Sequence, residues 1–150
     1  MIIYQDVKEN FINQVRGGVI DQLIIDFYFN ATKKHVGASE QDSWKKSMRY
    51  MRDVLNDPSI PKDAGVSIEY TIPRTSKRID FILTGQNEKK NDYAIIIELK
   101  QWSTVDLSEK DGLVKTSFFG EVSHPSYQAW SYAALLENYC ETVYLSLIHI

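Results

Sequence analysis

The chain has 150 residues, 43% hydrophobic, 12% aromatic and 25% charged, a balance that excludes disorder and fits one domain with its own core. Its single cysteine, Cys140, excludes an internal disulfide framework and a cysteine-rich zinc site, and His35, His124 and His149 are too scattered to replace it. With 17 Lys and Arg against 20 Asp and Glu the net charge is −3, which excludes bulk basic packing of nucleic acid but not a local basic edge.

Residues 1–30 read as helix, because Val7, Phe11, Val15, Val19, Leu23 and Phe27 recur every four positions. Gly17-Gly18 divides or kinks it, since adjacent glycines weaken a helix interior. A polar loop follows from Lys33 to Ala38. Ser39, with Asp42 three residues on, reads as a capping box opening a helix that carries Trp44, Met48, Met51 and Leu55 on one face. That helix ends before Asn56-Asp57-Pro58.

The period then changes to two. Val66, Ile68, Tyr70 and Ile72 alternate with polar residues, and Ile79–Leu83 and Tyr93–Leu99 are two further apolar runs around a polar turn at 85–92. Ala94 to Ile97 is apolar at every position, which predicts a strand covered on both faces. Residues 101–123 form a long connection with room for a short hairpin at 105–107 and 113–119. Pro125 opens a mostly apolar helix to Tyr139, read as buried, and Thr142–Ile150 reads as a last strand. The sum is one α/β domain: a mixed β-sheet, an antiparallel meander plus a further strand, flanked by helices. No apolar run reaches the ~18–20 residues of a membrane span, and residues 1–9 lack a signal-peptide layout. The expected setting is the reducing cytoplasm, with no membrane partner.

Chemistry concentrates at Asp80, Glu98 and Lys100. If the 80–98 hairpin is symmetric about its turn, Asp80 lies opposite Glu98, and Lys100, two residues on, shares that face. Two carboxylates suit a hard cation such as Mg²⁺, and the ammonium could serve an attacking water or a phosphoryl charge. Glu and Lys are common, however, and on spacing alone a solvated ion pair weighs more than a metal site.

The wording around these residues shifts that balance. Arg78-Ile-Asp80-Phe-Ile-Leu, Ile95-Ile-Ile-Glu98-Leu-Lys100-Gln-Trp and Gln128-Ala-Trp-Ser-Tyr132 together resemble the PD-(D/E)xK nuclease superfamily, the last element being similar to that of its RecB-like branch. The stretches from Ser39 to Trp44, Ile72 to Asp80 and His124 to Tyr132 are similar to the nuclease-like N-terminal region of bacterial Schlafen-like superfamily 1 DNA/RNA helicase proteins.

The resemblance, which covers most of residues 1–144, implies a restriction-endonuclease-like core and a nuclease using Mg²⁺ or Mn²⁺. Asp80 and Glu98 would be metal ligands, Lys100 the catalytic lysine, and Gln128 and Tyr132 a further motif near the scissile phosphate. The family's first-motif Glu, a third metal ligand, would be Glu40, with Glu69 as competitor; Glu40 reads equally as a carboxylate at a helix N-terminus. Arg74, Lys77 and Arg78 could form a nucleic-acid-binding edge, or a solvated turn. Lys45, Lys46, Arg49 and Arg52 read as a solvated helix face, and Trp102 and Trp130 as core. His124 reads as a helix cap or a phosphate contact. DNA is favoured over RNA as partner.

No phosphate loop is present, so a helicase motor would lie elsewhere in a longer chain and this would be its N-terminal part. Tyr144–Ile150 departs from the family wording and reads as translated adapter sequence after a truncated end, which sets His149 aside. The competing function is a catalytically silent module of the same fold that binds nucleic acid or a partner. A plain interaction domain would instead point Asp80 and Glu98 to different faces.

Overall fold

A computed structural model describes residues 1–139 of the protein. The elements are β1 (Ile2–Val7), α1 (Lys8–Arg16), α2 (Ile20–Thr32), α3 (Ala38–Leu55), β2 (Gly65–Thr71), β3 (Arg78–Gln86), β4 (Asp92–Ile97), β5 (Val105–Leu107), β6 (Leu113–Thr116), β7 (Gly120–Ser123) and α4 (Pro125–Tyr139). The fold is α/β. β1 to β4 make an antiparallel sheet in that order, and β5 to β7 make a second, smaller sheet. The strand expected at Thr142–Ile150, and Cys140, lie outside the described residues.

The meander is present as β2–β3–β4, but its neighbour corrects the sequence reading. Ile2–Val7 is not the start of a helix; it is a strand on the free edge of β2, with Ile2 opposite Tyr70 and Tyr4 opposite Ile68. Ile-Ile-Tyr and Val favour a strand, yet six residues are too few to show alternation, and the helical spacing that starts at Val7 runs into them. What decides the matter is pairing with residues about sixty positions away. The Gly17-Gly18 break appears as expected, with Gly18 at φ +71°.

The Ser39 capping box is not made. α3 opens one residue earlier, at Ala38, without a side-chain cap, and Asp42 instead meets Lys46 at 2.6 Å. Trp44, Met48, Met51 and Leu55 are buried as their spacing predicts, packing with Phe11 and Ile24 against Val66, Ile68 and Phe81. Phe11 and Phe81 meet edge to face at 5.6 Å.

On the opposite face of the sheet a smaller cluster joins Ile72, Ile79 and Ile82 to Tyr132 of α4. This helix is less buried than its apolar composition implies. Tyr132 is 6% exposed, whereas Trp130 is 64% exposed and not core, because only one stripe of α4 reaches the sheet. Trp102 is half-buried. β4 is likewise not covered on both faces. Ile96 and Ile97 pack at its end nearest the helices, while Tyr93 and Ile95 toward the turn are exposed.

The two clusters meet at a slip in the sheet. Ile68 pairs with Phe81 and both face α1–α3; two residues on, Tyr70 pairs with Ile79 and both pack on the α4 side. Regular alternation would keep all four on one face. The change falls at the intervening pair, Glu69 and Asp80. Glu69 takes φ +57°, a left-handed conformation that costs a residue with a β-carbon about 1–3 kcal/mol.

Phe81 adjoins that slip and is fully buried. Phe81→Ala is expected to lower unfolding free energy by about 3–5 kcal/mol, read as a lower urea midpoint, with Phe81→Leu costing distinctly less.

Candidate active site

The β3–β4 register follows the symmetric hairpin, with Phe81 opposite Ile97 and Ile82 opposite Ile96. Continued one step, it sets Asp80 against Glu98 just past the end of β4. Asp80 Oδ2 accepts a hydrogen bond from the Leu99 backbone N–H at 2.9 Å, which fixes the carboxylate where the strand gives out. The two carboxylates therefore share a face, which the plain interaction domain would not require.

Glu98 has only 3% of its side chain exposed. Its Oε1 accepts from Lys100 Nζ at 2.6 Å and from Gln128 Nε2, while its Oε2 is buried with no hydrogen-bond partner. Gln128 Nε2 also donates to the Tyr132 hydroxyl at 2.8 Å, so the i, i+4 pair on α4 reaches the carboxylate as one unit. The Lys100 ammonium lies 5.9 Å from the centre of the Trp102 ring. His124 is a helix cap: its Nδ1 accepts the Ser126 N–H at 3.1 Å and orients the start of α4.

Burial pushes the pKa values of both Asp80 and Glu98 upward. Lys100 opposes this at each, and the nearby Asp80 charge adds to the rise at Glu98.

The two first-motif candidates, Glu40 and Glu69, both meet Arg78. Arg78 Nη2 meets Glu40 Oε1 at 2.8 Å, and Arg78 Nε pairs with Glu69 Oε2. Trp44 Nε1 donates to Glu69 Oε1 at 2.8 Å. Neither Glu40 nor Glu69 is hydrogen-bonded to Asp80 or Glu98; both gather on the α3 side with Arg78 between them. Burial raises the pKa of Glu69 to about 7, against the pull of Arg78.

Two cavities flank this arrangement. An open cleft of about 470 Å³ is lined by Thr71, Ser76, Lys77, Arg78, Asp80, Glu98, Gln128 and Tyr132. A smaller cavity of about 110 Å³ lies against α3 and reaches Glu40, Glu69, Arg78 and Asp80. Lys77 thus stands on the cleft wall, whereas Arg74 is exposed on the same loop at φ +61° and does not line it. Lys45 and Arg49 are exposed and Arg52 meets Asp53, in keeping with a solvated face.

Sequence reasoning overlooked Gln101. Its Nε2 donates to the Ser43 carbonyl at 2.6 Å and to Ser47 Oγ at 3.0 Å, which latches the segment carrying Lys100 onto α3. The signal available was a Gln directly after the Glu-x-Lys and two serines four apart on the helix edge. Trp44, legible as core, also serves as the donor that holds Glu69.

Among the described residues no three acidic, histidine or cysteine side chains are grouped for a metal ion, so the protein's own offer is the Asp80–Glu98 pair. That pair fits a magnesium-like ion. The donors are hard oxygens, Mg²⁺ keeps several waters and needs only one or two carboxylates, and Glu98 Oε2 is a buried acceptor lacking a donor.

The chain matches no protein-family model, and neither curated proteins nor solved structures give a match. Among the described residues no helix is long and apolar enough to cross a membrane.

Glu69 sets a pH dependence. A carboxyl raised from 4.5 to about 7 on folding holds its proton more tightly in the folded state. Its contribution to stability is complete below about pH 4.5 and is lost as pH rises through 7. At about 1.4 kcal/mol per pH unit the loss is of the order of 3 kcal/mol. Urea unfolding from pH 5 to 8 should show the wild type losing stability relative to Glu69→Gln; parallel curves would refute the assignment.

Proposed function

We propose that the protein is a divalent-metal-dependent nuclease that hydrolyses phosphodiester bonds, with Asp80 and Glu98 as ligands of Mg²⁺ or Mn²⁺ and Lys100 as the catalytic lysine. The observation that carries this reading is the treatment of Glu98: Lys100 and Gln128 both hold Oε1, leaving Oε2 buried without a donor and the carboxyl against that of Asp80. A surface ion pair would leave neither carboxylate so enclosed.

A divalent ion held by Asp80 and Glu98 would lower the pKa of a water and offset charge on the phosphoryl oxygens. The chain's own residues do the rest. The Leu99 N–H keeps Asp80 in place, and Gln128 with Tyr132 fixes the orientation of Glu98. Lys100, at the mouth of the pair, donates to the attacking water or to the phosphoryl oxygens as charge grows on them. Lys77, Thr71 and Ser76 on the cleft wall meet the phosphate backbone, and Arg74 reaches it from outside. Supporting the same reading, the wording around Asp80, Glu98–Lys100 and Gln128–Tyr132 resembles RecB-like PD-(D/E)xK nucleases. The likeness to the N-terminal region of Schlafen-like helicase proteins favours a helicase motor as functional partner; DNA is favoured over RNA, and the single cysteine suits a reducing, cytoplasmic setting.

Labelled single- and double-stranded DNA and RNA are the substrates for the test, with Mg²⁺ or Mn²⁺ present and then chelated. Cleavage should require the metal and vanish in Asp80→Ala. Lys100→Ala should lower the rate by about 10²–10³-fold. Nucleic-acid binding without cleavage in any metal would refute the nuclease reading and leave the silent module.

A further inference from the structure

We propose that the site takes one divalent ion and no second, because the Arg78 guanidinium already fills the carboxylate cradle on the α3 side of Asp80 as a built-in cation. The inference rests on the nuclease reading and fixes its metal count.

The slip in the sheet creates the cradle. The β2–β3 ladder breaks between the Ile68–Phe81 and Tyr70–Ile79 pairs, at Glu69 and Asp80, and Glu69 turns toward α3, where Glu40 lies in the first turn. Three carboxylates thus border the 110 Å³ cavity, too far apart to form a ready-made metal site while Arg78 lies among them. Arg78 answers their charge, through Nη2 to Glu40 and Nε to Glu69. A guanidinium does not lose its proton, so no pH in the working range removes this cation.

The donor geometry points the same way. Both oxygens of Glu69 have a cation or a donor beside them: Oε2 is ion-paired to Arg78, though without a hydrogen bond, and Oε1 accepts from the buried Trp44 indole at 2.8 Å. An octahedral ion demands ligands at ~2.0–2.1 Å in near-ideal directions, and Glu69 cannot turn to supply one without breaking the indole bond. On the other side of Asp80, Glu98 Oε2 is buried with no partner to displace.

The test counts ions on the full chain by Mn²⁺ electron paramagnetic resonance, reading free Mn²⁺ against total. The wild type should bind one ion. Glu40→Gln, whose ion pair is half-exposed, should keep one ion within about threefold of wild-type affinity, and Arg78→Lys should also keep one. Arg78→Met should bind two. Two ions in the wild type, a tenfold or greater loss in Glu40→Gln, or one ion in folded Arg78→Met would each overturn the inference while leaving the nuclease reading standing. No ion in the wild type would overturn both. Should Arg78→Met fail to fold, the wild-type count and Glu40→Gln decide.

Discussion

Asp80 and Glu98 meet where the β3–β4 ladder runs out, and the charge they bring there is the constraint the surrounding structure answers. Removing an ionised carboxylate from water costs several kcal/mol unless partners replace the lost hydration. The partners come from two places: the Leu99 N–H and the Lys100 ammonium from the segment past β4, and Gln128 from α4. The position of α4 follows from the same requirement. His124 caps its start, Tyr132 anchors it to the sheet, and Gln128 lies one turn before Tyr132, facing Glu98. One oxygen, Glu98 Oε2, is left without a donor. That buried acceptor and its carboxylate neighbour are what the proposed divalent ion would meet.

The slip at Glu69 and Asp80 lets one sheet serve two clusters of charge. Before it, β2 and β3 build the main core with α1–α3; beyond it they turn their apolar side chains toward α4. The strain of a left-handed glutamate persists because Trp44 and Arg78 hold its carboxylate from opposite sides. Arg78 consequently serves as an internal partner more than as a free phosphate contact, even though it also borders the cleft.

Much of this was legible in the sequence because it is local or symmetric. Asp80 opposite Glu98 follows from the turn between Asn87 and Asn91 and the parity of a hairpin, and Trp44, Met48, Met51 and Leu55 announce a buried helix face by spacing alone. What escaped depends on distant partners. Ile2–Val7 is a strand only because β2 lies beside it, and Trp130 is exposed because just one stripe of α4 meets the sheet. That Arg78 stands between Glu40 and Glu69, the two candidates for a third ligand, no pattern reveals. The Gln101 latch joins segments far apart in the chain for the same reason.

The most direct measurement of the central claim is thermal unfolding against Mg²⁺ concentration, for the wild type and for Asp80→Asn at one pH. An ion held by Asp80 and Glu98 binds the folded state alone, so the wild-type midpoint should climb with the logarithm of concentration, by about 2.7 kcal/mol of added stability at a hundredfold excess over Kd. Asp80→Asn should show a flat line. Equal climbs in the two proteins, or no climb in either, would contradict the account.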